Sequence, residues 1–218
     1  MRDFINPAAI ERESMAIIAR ELAARGETPP EERAAVVARV IHATADFDYA
    51  KALYFAENAV CRGVSALRGG VIVTDTNMAL AGVSKSALQK LGGEAVCYMA
   101  DADVAAEAKT RGVTRAIVSM ERALSERPRA VFAIGNAPTA LLTLADAIKE
   151  GVRPALVIGV PVGFVNVSES KEYARAVCEA HGVPAILAMG RKGGSTVAAA
   201  ICNALLYTAA ELLDPENR

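Results

Sequence analysis

The chain has 218 residues and 22.8 kDa, with 53% hydrophobic and 22% charged residues, sixteen Gly and nine Pro. That composition excludes disorder, collagen and low-complexity polymers, and a chain of this size buries roughly 70% of its unfolded surface without a metal or disulfide staple. A formal charge of −1, no Trp and five Phe leave no bulk field for nucleic acid or an anionic membrane, and argue against a base-stacking surface.

The opening residues, Met1 to Pro7, contain no apolar core of the kind a secretory signal needs, and the longest apolar runs are broken by Gly or Pro before they could span a bilayer. Helical periodicity starts at once. Ile10, Ile17, Ile18 and Leu22 predict a helix over 8–25 that Gly26 stops. Thr28-Pro29-Pro30-Glu31-Glu32 starts a second helix, with Val36, Val37, Val40 and Ile41 on one side, running to about Thr44. A third helical stretch is predicted over about 48–68, ending at Gly69-Gly70.

After Gly70 short apolar runs alternate with helical segments. The runs are Val71–Val73, Ala95–Tyr98, Ala130–Ile134, Ala155–Val160 and Ala185–Leu187, and helices are predicted near 78–91, 101–111, 115–126, 138–150, 167–181 and 194–213. This pattern predicts an α/β fold: a doubly wound (Rossmann-like), mostly parallel five-stranded sheet flanked by helices, with an N-terminal helical segment. We read residues 1–213 as a single domain in which the 1–69 helical segment packs on the 70–213 α/β core, and 214–218 as a frayed tail.

In such a sheet ligands bind beyond the carboxyl ends of the strands. That rule selects Thr74–Asn77, Gly135–Thr139, Pro161–Asn166 and Gly190–Ser195, which should crowd along one edge. The last is the sharpest signal. Gly193 and Gly194 let the backbone turn before a helix start, and Arg191 and Lys192 add two charges, which together suit an anion; a helix start capped by Ser195 is the plainer alternative. Neither a P-loop nor GxGxxG is present. Asn166-Val167-Ser168-Glu169 fits a capping box, and Gly135-Asn136-Ala137-Pro138 a strand-to-helix turn.

Arg39 and His42, at i and i+3, share a face at the end of the second helix, and Asp46 lies one turn on. An imidazole at a helix C-terminus has its cationic form favoured, which suits a proton donor near neutral pH, although a capping or core histidine has the same spacing. His181, before Gly182, reads as a surface cap. Ser14 reads as solvated, and Arg115 at a helix start suggests either an anionic partner or a plain surface arginine. Four cysteines at 61, 97, 178 and 202 form no CxxC and predict reduced, buried thiols of a cytoplasmic protein; two histidines exclude a His-rich metal site, so no metal is expected.

The blocks RVIHATADFD (39–48), TDTNMALAGVSK (74–85), IGNAPTAL (134–141), PALVIGVPVGFVNVSESKE (154–172) and GRKGGSTVAAAICNALL (190–206) occur in order along the chain. Through them the sequence resembles the precorrin-8X methylmutase family of corrin biosynthesis, and its wording is more similar to the cobalt-precorrin-8 branch. The resemblance implies an isomerase that moves a methyl group from C-11 to C-12 of the macrocycle. It implies that His42 is the proton donor and acceptor, that Ser14 and Arg39 contact substrate, and that Arg115 does so too. It further implies a homodimer with the active site between subunits, a corrinoid substrate, and no organic cofactor; any cobalt arrives inside the substrate. Arg191, Lys192, Gly193 and Gly194 are added as substrate-binding from the anion argument. Two other classes fit the residues less well: a noncatalytic corrinoid carrier, in which the histidine is expendable, and a nucleotide-dependent oxidoreductase, which the missing GxGxxG disfavours.

Overall fold

A computed structural model describes residues 6–56 and 58–217. The first helix, α1 (Pro7–Ala24), begins where the Asn6 side chain accepts from the amides of Ala8 and Ala9. α2 (Glu31–Thr44) carries Glu31 and Glu32 in its first turn, His42 in its last, and stops at Ala45 in the left-handed region (φ 53°). The predicted helix over 48–68 is not one helix. It divides into α3 (Tyr49–Ala52), strand β1 (Leu53–Phe55) and α4 (Ala59–Ala66). Leu53 and Phe55 bury on one face with Tyr54 between them, and pairing with a neighbouring strand overrides the local helical pattern.

The remainder follows as β2 (Val71–Thr74), α5 (Asn77–Gly82), α6 (Lys85–Leu91), β3 (Glu94–Val96), α7 (Ala102–Arg111), α8 (Arg115–Glu126), β4 (Val131–Ile134), α9 (Pro138–Lys149), β5 (Leu156–Gly159), α10 (Val167–His181), β6 (Ala185–Ala188) and α11 (Ser195–Ala209). The stretch read as one helix over 78–91 is two, because Ser84 leaves helical geometry and its side chain caps α6 at the Ala87 amide. The sheet has six strands rather than five, in the order β1-β6-β5-β4-β2-β3. β1 is antiparallel to β6 and every other pair is parallel. The parallel part has the doubly wound order in which the chain switches direction between its first and third parallel strands, here β2 and β4.

Alternate residues of each strand feed two cores. Ile72, Val131, Ala133, Ile158 and Ile186 pack with the helices of α1, α2, α4, α5, α6 and α11. Val73, Phe132, Ile134, Val157 and Leu187 pack with α7, α8, α9 and α10 on the other face.

Three smaller expectations are corrected. Asn166 does not form a capping box: it sits in the left-handed region (φ 56°), from which its side chain caps nothing. The tail read as frayed folds into a 3-10 turn, Pro215–Asn217, and Asp214 and Glu216 pair with Arg12 on α1. The four thiols are free, but only Cys178 and Cys202 are buried; Cys61 is exposed and Cys97 half-buried.

Candidate active site

The four loops selected by the carboxyl-edge rule do converge. The hydroxyls of Thr76 and Ser195 lie 2.8 Å apart, the Gly194 amide donates to the Val160 carbonyl at 2.8 Å, and the Gly163 amide donates to the Arg191 carbonyl at 3.3 Å. At the switch point Asp75 is 1% exposed, and its carboxyl accepts from the amides of Gly135 (2.7 Å), Asn136 (2.8 Å) and Ala137 (2.8 Å). Burial pushes this carboxyl above its usual range, and the three amides work against that shift.

His42 stands on the exposed side of the last turn of α2, one turn beyond Arg39. The Arg39 guanidinium is mostly buried; it donates to Glu11 of α1 at 2.6 Å and lies 5.2 Å from the centre of the Tyr207 ring of α11. Ser14 follows Glu11 by three residues, so it shares that face of α1, and its hydroxyl donates to the Ile10 carbonyl at 2.9 Å. α1 and α2 thus make one wall about the Glu11–Arg39 pair, with Ser14 one turn along α1 and His42 one turn along α2, in opposite directions from it.

The loop after β6 is joined to this wall. Lys192 donates to Asp46 (2.7 Å) and Asp48 (2.5 Å), which follow His42 in the chain. These two carboxylates hold the Lys192 ammonium well above the usual lysine range, and Lys192 in turn draws the Asp48 carboxyl down. Its ammonium is thus paired here yet still partly exposed. Arg191 is exposed, with its guanidinium 5.5 Å from the ring centre of Phe164 in the β5–α10 loop.

Both glycines meet demands of the backbone itself. A Cβ on Gly193 would sit 2.1 Å from the Val160 carbonyl oxygen, so a side chain cannot fit there. Gly194 has φ 131° and its amide is already used by Val160, which removes it as a donor for an anion. Ser195 is the first residue of α11 rather than its cap, and its hydroxyl faces Thr76.

Arg115 is exposed at the start of α8, whose Thr114 hydroxyl lies 3.3 Å from that of Thr139 at the start of α9. α8 packs on the sheet face opposite α2, so Arg115 and His42 approach the rim from opposite faces of the sheet. Apolar side chains stand exposed near the same rim: Met78 on α5, and Val162, Phe164 (83%) and Val165 (77%) after β5.

Sequence reasoning missed Lys171 on α10. It is 0% exposed, and its ammonium donates to the carbonyls of Gly190 (2.8 Å) and Lys192 (2.7 Å). Burial lowers its pKa to about 8. A signal was present: Val167, Lys171, Ala174 and Cys178 form a buried stripe at helical spacing, and the lysine falls within it. Among the described residues no group of three or more His, Cys, Asp or Glu could hold a metal ion, and no helix is long and apolar enough to cross a membrane.

Comparison with known proteins places this geometry in a family. The model of the precorrin-8X methylmutase family matches residues 9–208. The chain is 45% identical over 203 residues to the cobalt-precorrin-8 methylmutase of Priestia megaterium, covering 92% of this chain and 88% of that one. It is 44% identical over 209 residues to that of Salmonella typhimurium, covering 92% and 95%. The solved precorrin-8X methyl mutase of Thermus thermophilus superposes with a TM-score of 0.82 at 40% identity, covering 93% of this chain and 98% of that one. A family match over nearly the whole length, relatives above 40% identity and the shared fold carry one conclusion: the chain belongs to the precorrin-8X methylmutase family.

Proposed function

We propose that this chain is an isomerase of cobalamin biosynthesis that moves a methyl group from C-11 to C-12 of cobalt-precorrin-8 or precorrin-8X. Its family membership supports the methylmutase class and a corrinoid substrate. The observation that carries the mechanism is the solvent-facing His42 at the C-terminus of α2, one turn from Arg39 on the same helix. An imidazole there can protonate the macrocycle beside the migrating carbon. Protonation withdraws electrons from the ring, the methyl group passes to C-12, and the proton returns to the imidazole. No organic cofactor enters this scheme, and cobalt, when present, is part of the substrate.

Corrinoid intermediates are broad apolar rings edged with carboxylates. Arg39, Arg115 and Arg191 are assigned to those carboxylates, with Ser14 as a further contact on the wall beside Arg39. Lys192 acts on the substrate through its link to Asp46 and Asp48, or by exchanging those partners for a substrate carboxylate. A homodimer with the active site between subunits follows from the family reading, with Arg115 and His42 approaching the ring from opposite faces of the sheet. The exposed apolar side chains at the rim favour the same arrangement. We place the protein in the cytoplasm.

The test is incubation of the purified chain with cobalt-precorrin-8 and, separately, precorrin-8X, following each absorption spectrum. Conversion by the single component is expected, and His42→Ala should lower turnover by about 10²–10⁴-fold while remaining folded. Binding without conversion would make the chain a carrier. Parental turnover by a folded His42→Ala variant would remove the histidine from the mechanism.

A further inference from the structure

The mechanism above leaves the buried ammonium of Lys171 unused. Lys171 has no carboxylate partner among the described residues; its ammonium meets two backbone carbonyls, those of Gly190 and Lys192. The carbonyl between them, of Arg191, accepts from the Gly163 amide. Three successive carbonyls of the rim loop are thus each held from the protein side. The side chains carried by the same residues reach outward, Arg191 to the face of Phe164 and Lys192 to Asp46 and Asp48.

An apolar residue of similar length would fill the buried stripe without the cost of desolvating an ammonium. What the lysine adds is its donors. They also explain why a loop bearing two further cations tolerates a third one beneath it: the carbonyl dipoles turn their negative ends inward.

We propose that Lys171 is a positioning residue, which holds the carbonyls of Gly190 and Lys192 and thereby fixes the direction in which Arg191 and Lys192 are presented to an anionic ligand at the rim. The ligand's identity as a polycarboxylate ring rests on the proposed function; the hold on the loop does not.

The test is Lys171→Met, which keeps length and removes every donor. Amide hydrogen exchange over 190–194 should quicken at least about tenfold, because the loop loses two anchoring hydrogen bonds. With whichever corrinoid the parent converts, KM should rise about tenfold while kcat stays within about twofold, since positioning of carboxylates acts on binding. Unchanged exchange, an unchanged KM, or a fall in kcat at constant KM would each overturn the proposal. A structural defect alone would not separate KM from kcat. Should Lys171→Met fail to fold, Arg191→Ala in the parent decides: KM must rise, and a silent substitution overturns the proposal because nothing would then be positioned. If the parent converts neither corrinoid, the functional reading fails and the exchange measurement still decides whether Lys171 holds the loop.

Discussion

Asp75, at the end of β2, and Lys171, on α10, are both almost fully buried beneath the same rim, and each orders a loop through backbone groups. They do so in opposite senses. The carboxyl of Asp75 gathers three amides of the β4–α9 loop; the ammonium of Lys171 gathers two carbonyls of the β6–α11 loop. In doubly wound sheets the switch point is where amides and a helix start usually meet an anionic ligand. Here the protein's own carboxyl has taken those donors, which is a physical reason to set aside the nucleotide-dependent oxidoreductase reading. At the other loop it is the acceptors that are consumed, and cationic side chains are what remains to face outward. The same rim is therefore closed to anions at β2 and β4, while after β6 the Arg191 guanidinium is left to face outward.

Asp75→Ala should break the comparison most severely. It leaves three amides without their acceptor, at a cost of about 3–5 kcal/mol, or roughly 10–15 °C in melting temperature. A urea or thermal melt within 2 °C of the parent would mean the amides find other partners and that the carboxyl is not the organiser of its loop.

The pH dependence of stability sharpens the other half. Burial brings the Lys171 pKa down to about 8 in the folded chain, against an ordinary value of 10.5. Between those values the unfolded chain binds more protons than the folded one, so stability rises with pH across this window. The full shift corresponds to about 3 kcal/mol. Measured as the difference between the parent and Lys171→Met, the parent should gain on the variant from about pH 8 to 10.5. A flat difference would show that the ammonium is not desolvated.

The smallest effect belongs to the exposed ion pairs that tie the loop to α2. Lys192→Met should move the melting temperature by no more than about 2 °C, because exposed pairs contribute little and are screened by salt. A larger loss would mean that Lys192, rather than Lys171, holds the loop.

Much of this was legible in the sequence. Each of the five parallel strands lies where a β-branched run predicted it, and α8 and α10 have the predicted limits, because long periodic segments bounded by Thr114, Gly182 or a strand leave little choice. The convergence of the Thr74, Gly135, Pro161 and Gly190 loops followed from the carboxyl-edge rule alone. Illegible were contacts made by one residue far along the chain. Nothing near Lys192 announces Asp46 and Asp48, some 146 and 144 residues away, and Asp75 reads as an ordinary loop acid until β4 is placed beside β2. Gly193 and Gly194 announce a turn before a helix, but not that a side chain at Gly193 would meet the Val160 carbonyl or that the Gly194 amide is taken by it. The partner of Arg39 lies on another helix, so its pairing was equally hidden.

The short strand hidden in a locally helical pattern has the widest reach. β1 spans only three residues, yet its polarity fixes where the preceding helices deliver the chain. Running against β6, it must be entered beside the carboxyl terminus of that strand, at Leu53 opposite Ala188, and left at Phe55 opposite Ile186. Turned the other way, the same three residues would have drawn α2 toward the far margin of the sheet, and the imidazole of His42 would have been parted from the glycine-rich loop by the length of a strand.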